Sequence, residues 1–252
     1  HSISTLYDVA IIDENNIWAV GEIMIADTSQ NGYTIYNAVH WDGNEWELKR
    51  IPFTYNGQTF YSAIKAILAF NESDIWFGIA SLIHWDGHTY QSISTQGIFP
   101  ASINKMWGTS SNNFYIVGTN GQIAHYNGTN WQRIESGTNA NIVDISGIQN
   151  AEGKYTKYCA ADNVLLKIDG ENAVSTINVE QGMFLNSVWA ASNRIIYTAG
   201  SGVVLFKNNG WQTINSPEIN TIYRIKGQSY NDIVGLSANL SIFHFNGYSW
   251  NS

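Results

Sequence analysis

A single cysteine, Cys159, excludes any internal disulfide, so burial of apolar surface rather than covalent stapling has to hold the fold. Basic residues are scarce: 12 Lys+Arg stand against 20 Asp+Glu, for a formal charge of −8. No basic run interrupts that balance, which argues against a nucleic-acid phosphate backbone as partner. Nowhere does an apolar stretch approach the roughly 18 residues that a bilayer-spanning helix needs, so no membrane insertion is expected. Sustained 3.6-residue periodicity is also missing, which excludes a helical architecture.

What is present is apolar composition of 44% over 252 residues, enough to bury a large core and exclude general disorder. Abundant Asn, Ser, Thr, Gly, Trp and Tyr beside few basic residues describe a secreted or cell-surface protein. The chain opens on His1 rather than Met, which predicts a processed chain or a piece of a larger surface protein or assembly.

The sequence repeats itself. An Asp-Gly or Asn-Gly pair follows an apolar run at Asp42-Gly43, Asp86-Gly87, Asn127-Gly128, Asp169-Gly170, Asn209-Gly210 and Asn246-Gly247, with successive glycines 44, 41, 42, 40 and 37 residues apart. Such pairs predict two-residue type I′ hairpins, because both central residues need positive φ. Before each lies a short apolar strand, as in Ala38-Val39-His40-Trp41, and after most an aromatic opens another: Trp46, Tyr90, Trp131, Trp211 and Trp250. Upstream lies a strand ending in a small residue, as in Ile17-Trp18-Ala19-Val20-Gly21, and before it a strand centred on a polar residue. Four short strands in about forty residues make a propeller blade. The expected fold is therefore all-β: one six-bladed β-propeller domain over residues 1–252, four antiparallel strands per blade, with blades near 6–51, 63–95, 103–136, 142–178, 185–215 and 222–252. Ser2-Ile3-Ser4-Thr5 matches Ser92-Ile93-Ser94-Thr95, so residues 1–5 are expected to close blade six.

The pattern Asn-Asp-Ile-Trp-Ala-Val-Gly … Ile-x-His-Trp-Asp-Gly-x-x-Trp resembles the propeller repeats of bacterial secreted and surface proteins, especially of Bacteroidetes type. It covers essentially the whole chain, with blade four most divergent. More distantly, the repeats are similar to photosystem II assembly-factor propellers and to the Asp-box propellers of sialidases. The resemblance implies a fold and an extracellular setting, and brings no activity, cofactor or catalytic residue with it.

His40, His84, His125 and His244 share one repeat position, with Lys167 and Lys207 in the other two copies. Third strands of neighbouring blades hold such copies more than roughly 10 Å apart, too far to share a metal whose nitrogen ligands lie at about 2 Å. No metal site is expected. The first-strand residues Asp8, Lys65, Lys105, Asp144, Ser187 and Arg224 are polar amid apolar neighbours and are expected to line the axial channel, as structural ion pairs or as a polar-ligand site. Aromatics off the repeat lie in two long excursions: Tyr33 and Tyr36 in residues 22–37, and Phe53, Tyr55, Phe60 and Tyr61 in residues 52–62, with Phe99 in the next link. Exposed aromatics beside Asn and Gln suit glycan or protein binding. The sequence thus points to a non-catalytic binding or scaffolding propeller. A lectin-like propeller with repeated sugar sites, or a glycoside-acting enzyme with two carboxylates in a cleft, stand as alternatives.

Overall fold

The computed structural model describes residues 4–27, 32–179, 183–207, 210–214 and 221–251. Among these, six four-stranded antiparallel sheets each follow chain order, as the blades of a six-bladed β-propeller. Blade one is β1 (Thr5–Asp13), β2 (Asn16–Asp27), β3 (Gly32–Trp41) and β4 (Trp46–Lys49); a two-stranded hairpin follows, β5 (Phe53–Tyr55) and β6 (Gln58–Phe60). Blade two is β7 (Ala66–Asn71), β8 (Asp74–Gly78), β9 (Leu82–Trp85) and β10 (Tyr90–Ile93); blade three is β11 (Ile103–Ser110), β12 (Asn113–Gly118), β13 (Gln122–Tyr126) and β14 (Trp131–Glu135). Blade four is β15 (Ile142–Gln149), β16 (Tyr155–Ala161), β17 (Val164–Asp169) and β18 (Ala173–Asn178); blade five is β19 (Leu185–Ser192), β20 (Ile195–Gly200), β21 (Gly202–Lys207) and β22 (Gly210–Ile214). Blade six is β23 (Ile222–Ser229), β24 (Asp232–Ser237), β25 (Ile242–Phe245) and β26 (Trp250–Asn251). The chain divides into two compact units, residues 1–116 with 124–132, and residues 117–123 with 133–252.

Burial explains the strand sequences. In blades one to five the second strand is packed on both faces over much of its length: β16 is buried at six consecutive residues, whereas the outer strand β18 is mostly exposed. That is why second strands read as unbroken apolar runs and fourth strands alternate. In the first unit, Trp18, Val20 and Ala38 of blade one pack against Ile67, Phe77 and Ile83 of blade two. In the second, Tyr158, Ala160 and Leu165 of blade four meet Val188 and Ala190 of blade five. Each large aliphatic or Phe side chain among these contributes about 1.5–3 kcal/mol by leaving water.

In blades one, two, three and six the repeat turns differ from the two-residue hairpins expected, whereas in blade five Lys207 pairs with Gly210, with two residues in the loop between them. Trp41 pairs with Trp46 and Phe245 with Trp250, so the loops between them hold four residues. Only the glycine takes positive φ, 95° at Gly43 and 91° at Gly87. The acidic residue instead turns its carboxylate onto the loop: Asp86 Oδ1 accepts from the His88 and Thr89 N–H groups at 2.8 and 2.7 Å. Asn127 and Asn246 do the same with their amide oxygens. The glycine is needed for space as well as φ, since a Cβ on Gly87 would lie 2.8 Å from Ser73 Cβ in the turn between the first two strands.

Thr5 pairs with Glu22, which places it in blade one, and the fourth strand of blade six is its own Trp250–Asn251. Residues 1–3 of the expected closing strap lie outside the described residues.

Candidate functional site

The 52–62 excursion is built on a seventh Asn-Gly. Tyr55 pairs with Gln58, and the turn between them, Asn56-Gly57, has φ of 48° and 75°. Positive φ at both positions is the type I′ geometry that the Asp42-Gly43, Asp86-Gly87, Asn127-Gly128, Asp169-Gly170 and Asn246-Gly247 pairs lack. Asn37, buried at the root of β3, clips the base of this hairpin. Its Oδ1 accepts from the Ile51 N–H at 2.7 Å, and its Nδ2 donates to the carbonyls of Ile51 and Ser62 at 2.9 and 3.1 Å. Further out, the Thr54 N–H donates to Ser92 Oγ of β10 at 2.8 Å, and the Arg50 guanidinium carbon sits 3.9 Å from the Tyr61 ring centre.

Between this hairpin and the link leaving blade two lies a cleft of about 570 Å³. Phe53 and Tyr55, stacked at 6.4 Å between centroids, form one wall. Ala80, Phe99, Pro100 and Ala101 form the rest of the apolar lining, with Ser81, Ser94, Gln96 and Ser102 as its polar groups. The far wall is held by Thr95, whose carbonyl accepts from the Ile98 and Phe99 N–H groups at 3.1 and 2.8 Å. Among the described residues, no acidic, basic or histidine side chain lines the cleft.

Of the seven aromatics expected to form a surface, Phe53, Tyr55 and Phe99 come together here. Phe99 is not a surface residue: it is fully buried among Ile103, Leu82 and Phe114 and backs the cleft from the core. Phe60 is exposed opposite Phe53 in the hairpin, and Tyr61 is half-buried under Arg50. Tyr33 and Tyr36 lie on the long β2–β3 arm, paired with Ala26 and Ile23, and do not line the cleft. Asn37 gave no sequence signal beyond standing just before the third-strand apolar run.

The first-strand polar residues have structural partners. In β1, β15, β19 and β23 a bulge precedes the position, after Leu6, Ile142, Leu185 and Ile222, and re-aims the next side chain. Asp8 Oδ2 then accepts from the Ile67 N–H of blade two at 3.0 Å, and Lys105 of blade three donates to Asp8 Oδ1. Asp144 Oδ2 accepts from Ser187 Oγ at 2.6 Å and from the Val188 N–H at 3.0 Å; Ser187 Oγ in turn accepts from the Ile225 N–H at 3.2 Å. These side chains staple β1 to β7, β15 to β19 and β19 to β23. Arg224 Nη1 donates back to the Asn186 carbonyl at 2.6 Å. Lys65 is exposed and one residue out of register: Ala66, paired with Gly78, holds the equivalent place.

The histidines knot second strands to third. His84 stacks on Trp76 at 4.3 Å, and His84 Nε2 and Trp76 Nε1 both reach Asp74 Oδ1, at 2.9 and 3.0 Å. Trp18, His40 and Asn16 repeat the arrangement, and there burial, with Lys49 nearby, lowers the His40 pKa. In blade five the register gives this place to Leu205 rather than Lys207. Cys159 is fully buried, and burial pushes its thiol pKa up, away from nucleophilic use. Among the described residues, no three His, Cys, Asp or Glu side chains gather where a metal ion could sit, and no helix is long and apolar enough to cross a membrane.

Neither the protein-family models nor the curated proteins contain a match to this chain. Solved structures do match. YCF48 bound to D1 peptide superposes with a TM-score of 0.68 at 15% identity, over 98% of this chain and 80% of that one. The extracellular domain of BT4673 from B. thetaiotaomicron gives 0.61 at 13% identity, and there this chain spans only 38% of the matched chain. Catalytically inactive virginiamycin B lyase from Staphylococcus aureus with quinupristin gives 0.67 at 9% identity, over 96% of this chain and 84% of that one. The likeness is one of β-propeller fold.

Proposed function

We propose that this chain is a non-catalytic, extracellular binding module that takes an apolar, uncharged segment of a protein partner into the cleft beside the β5–β6 hairpin. The observation that carries the reading is the lining: Phe53, Tyr55, Phe99 and Pro100 with serine and glutamine groups, and no charge. Such a site binds by burying apolar surface while a few hydroxyl and amide groups fix orientation. Hairpin and link are both clamped at their bases, so little conformational freedom is lost on binding. A neighbour of the same fold, YCF48, is described bound to a peptide, which is consistent with this use. The extracellular setting rests on the surface composition and on the resemblance of the repeats to secreted proteins.

The test is a displayed peptide library panned on the chain and counter-selected on Tyr55→Ala and Ser94→Glu variants. Peptides rich in apolar, uncharged residues that lose at least tenfold in affinity on both variants support the site. Binders indifferent to both variants overturn it.

A second reading, sugar recognition, is favoured by a polar cleft of about 440 Å³ in the second unit. Gln122, Arg133, Glu135, Ser136 and Thr138 line it, and the buried Gln122 Oε1 has no hydrogen-bond partner among the described residues. A glycan array run beside the library, with Arg133→Ala as control, separates the two.

A further inference from the structure

Blade one carries an apolar face whose counterpart in the other blades is covered. Val9 and Ile11 of β1 point away from Ala10 and Ile12, which pack toward blade two. Register fixes the equivalents of Val9: it follows Asp8 as Ile67 follows Ala66, Ile145 follows Asp144, Val188 follows Ser187 and Ile225 follows Arg224. Those four are between 0% and 4% exposed, whereas Val9 is 54% and Ile11 is 70% exposed. Leu6, at 56%, likewise contrasts with the buried Ile142, Leu185 and Ile222.

For three of the four buried equivalents the covering partner is of the same kind. Ile67 packs on Trp18 and Val20, Val188 on Tyr158 and Ala160, and Ile225 on Tyr197 and Ala199. A Trp or Tyr on the second strand of a preceding blade, followed two residues later by a small or β-branched residue, is the constant partner. The second unit shows the complementary case by itself: Val234, Leu236 and Ile242 of blade six are exposed, where Tyr158, Ala160 and Leu165 of blade four are buried.

We propose that the Leu6–Val9–Ile11 face of blade one is a docking surface for a further blade of this same repeat, a four-stranded sheet presenting a second-strand Trp or Tyr over Val9. Leaving three large aliphatic side chains in water on one strand is costly, and an established interface within the same chain already shows what fits them. Blade six of a second copy lacks the required aromatic, since Val234 holds that position.

The test places residues 142–184 directly ahead of residues 6–252, so that a copy of blade four precedes blade one through its natural link. Val9→Cys is introduced in this tandem and in the 1–252 chain, and maleimide labelling is timed; buried Cys159 gives a slow baseline. The expected result is fast labelling in the 1–252 chain and labelling at least tenfold slower in the tandem. Tyr158→Ser within the added copy restores fast labelling. Equal rates in tandem and parent overturn the proposal, as does slow labelling in the parent alone, which would mean that the face is already covered. Protection that appears in the parent only at high concentration, with a dimer in light scattering, overturns it in favour of a second copy.

Discussion

At the scale of single residues, buried polar groups of this chain act mainly as joints. Asn37 is the clearest: one amide satisfies a buried N–H and two carbonyls from the two ends of an eleven-residue excursion, residues 52–62, whose aromatics form the cleft wall. Removing a partner that leaves a buried N–H unsatisfied is more damaging than a mean hydrogen bond suggests, so Asn37→Ala is expected to cost about 2–4 kcal/mol in urea unfolding. It should also weaken peptide binding, because Phe53 and Tyr55 lose their fixed base. Lys157 is a different case. Its side chain is almost fully buried, its ammonium donates to the Gly170 carbonyl, and burial lowers its pKa to about 8, with Cys159, Asp169 and Glu171 only partly offsetting that. The unfolded chain, with a lysine pKa near 10.5, therefore binds a proton that the folded chain has released over the window from about pH 8 to 10.5. Stability should rise with pH across that window. Lys157→Met should flatten the rise, as read from melting temperatures at pH 7, 8, 9 and 10.

Single elements show where sequence rules transfer and where they fail. The Asn-Gly rule predicts six type I′ repeat turns, yet it holds at Asn56-Gly57, which lies off the repeat, and fails at Gly43 and Gly87. The reason is the loop beyond the glycine: the two further residues let Asp86 fold its carboxylate back on two N–H groups, an alternative the dipeptide alone does not reveal. A pair of substitutions separates the two roles of glycine. Gly57→Ala meets no atom within 4 Å and bears only the positive-φ penalty, about 1 kcal/mol. Gly87→Ala adds a 2.8 Å approach to Ser73 Cβ and should cost about 1–2 kcal/mol more in denaturant titration. Equal losses at both positions would show that the strand 1–2 turn yields freely. The repeat and its strand count were legible because each blade copies one pattern of turns and apolar runs. The Lys65 placement was not, since Ala66 rather than the neighbouring lysine takes the paired place and composition does not show which of two adjacent residues does, and neither was Phe99, an aromatic in a link that serves the core.

At the scale of the whole molecule, charge and contact are separated. The chain carries a formal charge of −8, while the described lining of the cleft beside the hairpin carries none. Long-range fields govern how often partners meet, and they fade beyond roughly 10 Å at 0.1 M salt; short-range burial governs how long they stay. Two peptides with one apolar core, flanked by three lysines or by three glutamates, should therefore differ in association rate by about tenfold at 20 mM NaCl and converge at 500 mM. Their dissociation rates should agree within about twofold at both salts, because the same uncharged contacts break. Stopped-flow fluorescence can follow both through Tyr55. A dissociation rate that climbs tenfold with salt would mean that charged groups sit inside the contact. The site would then lie elsewhere, the polar cleft with Arg133 and Glu135 being the first place to look, since there an ionic contact is built into the lining.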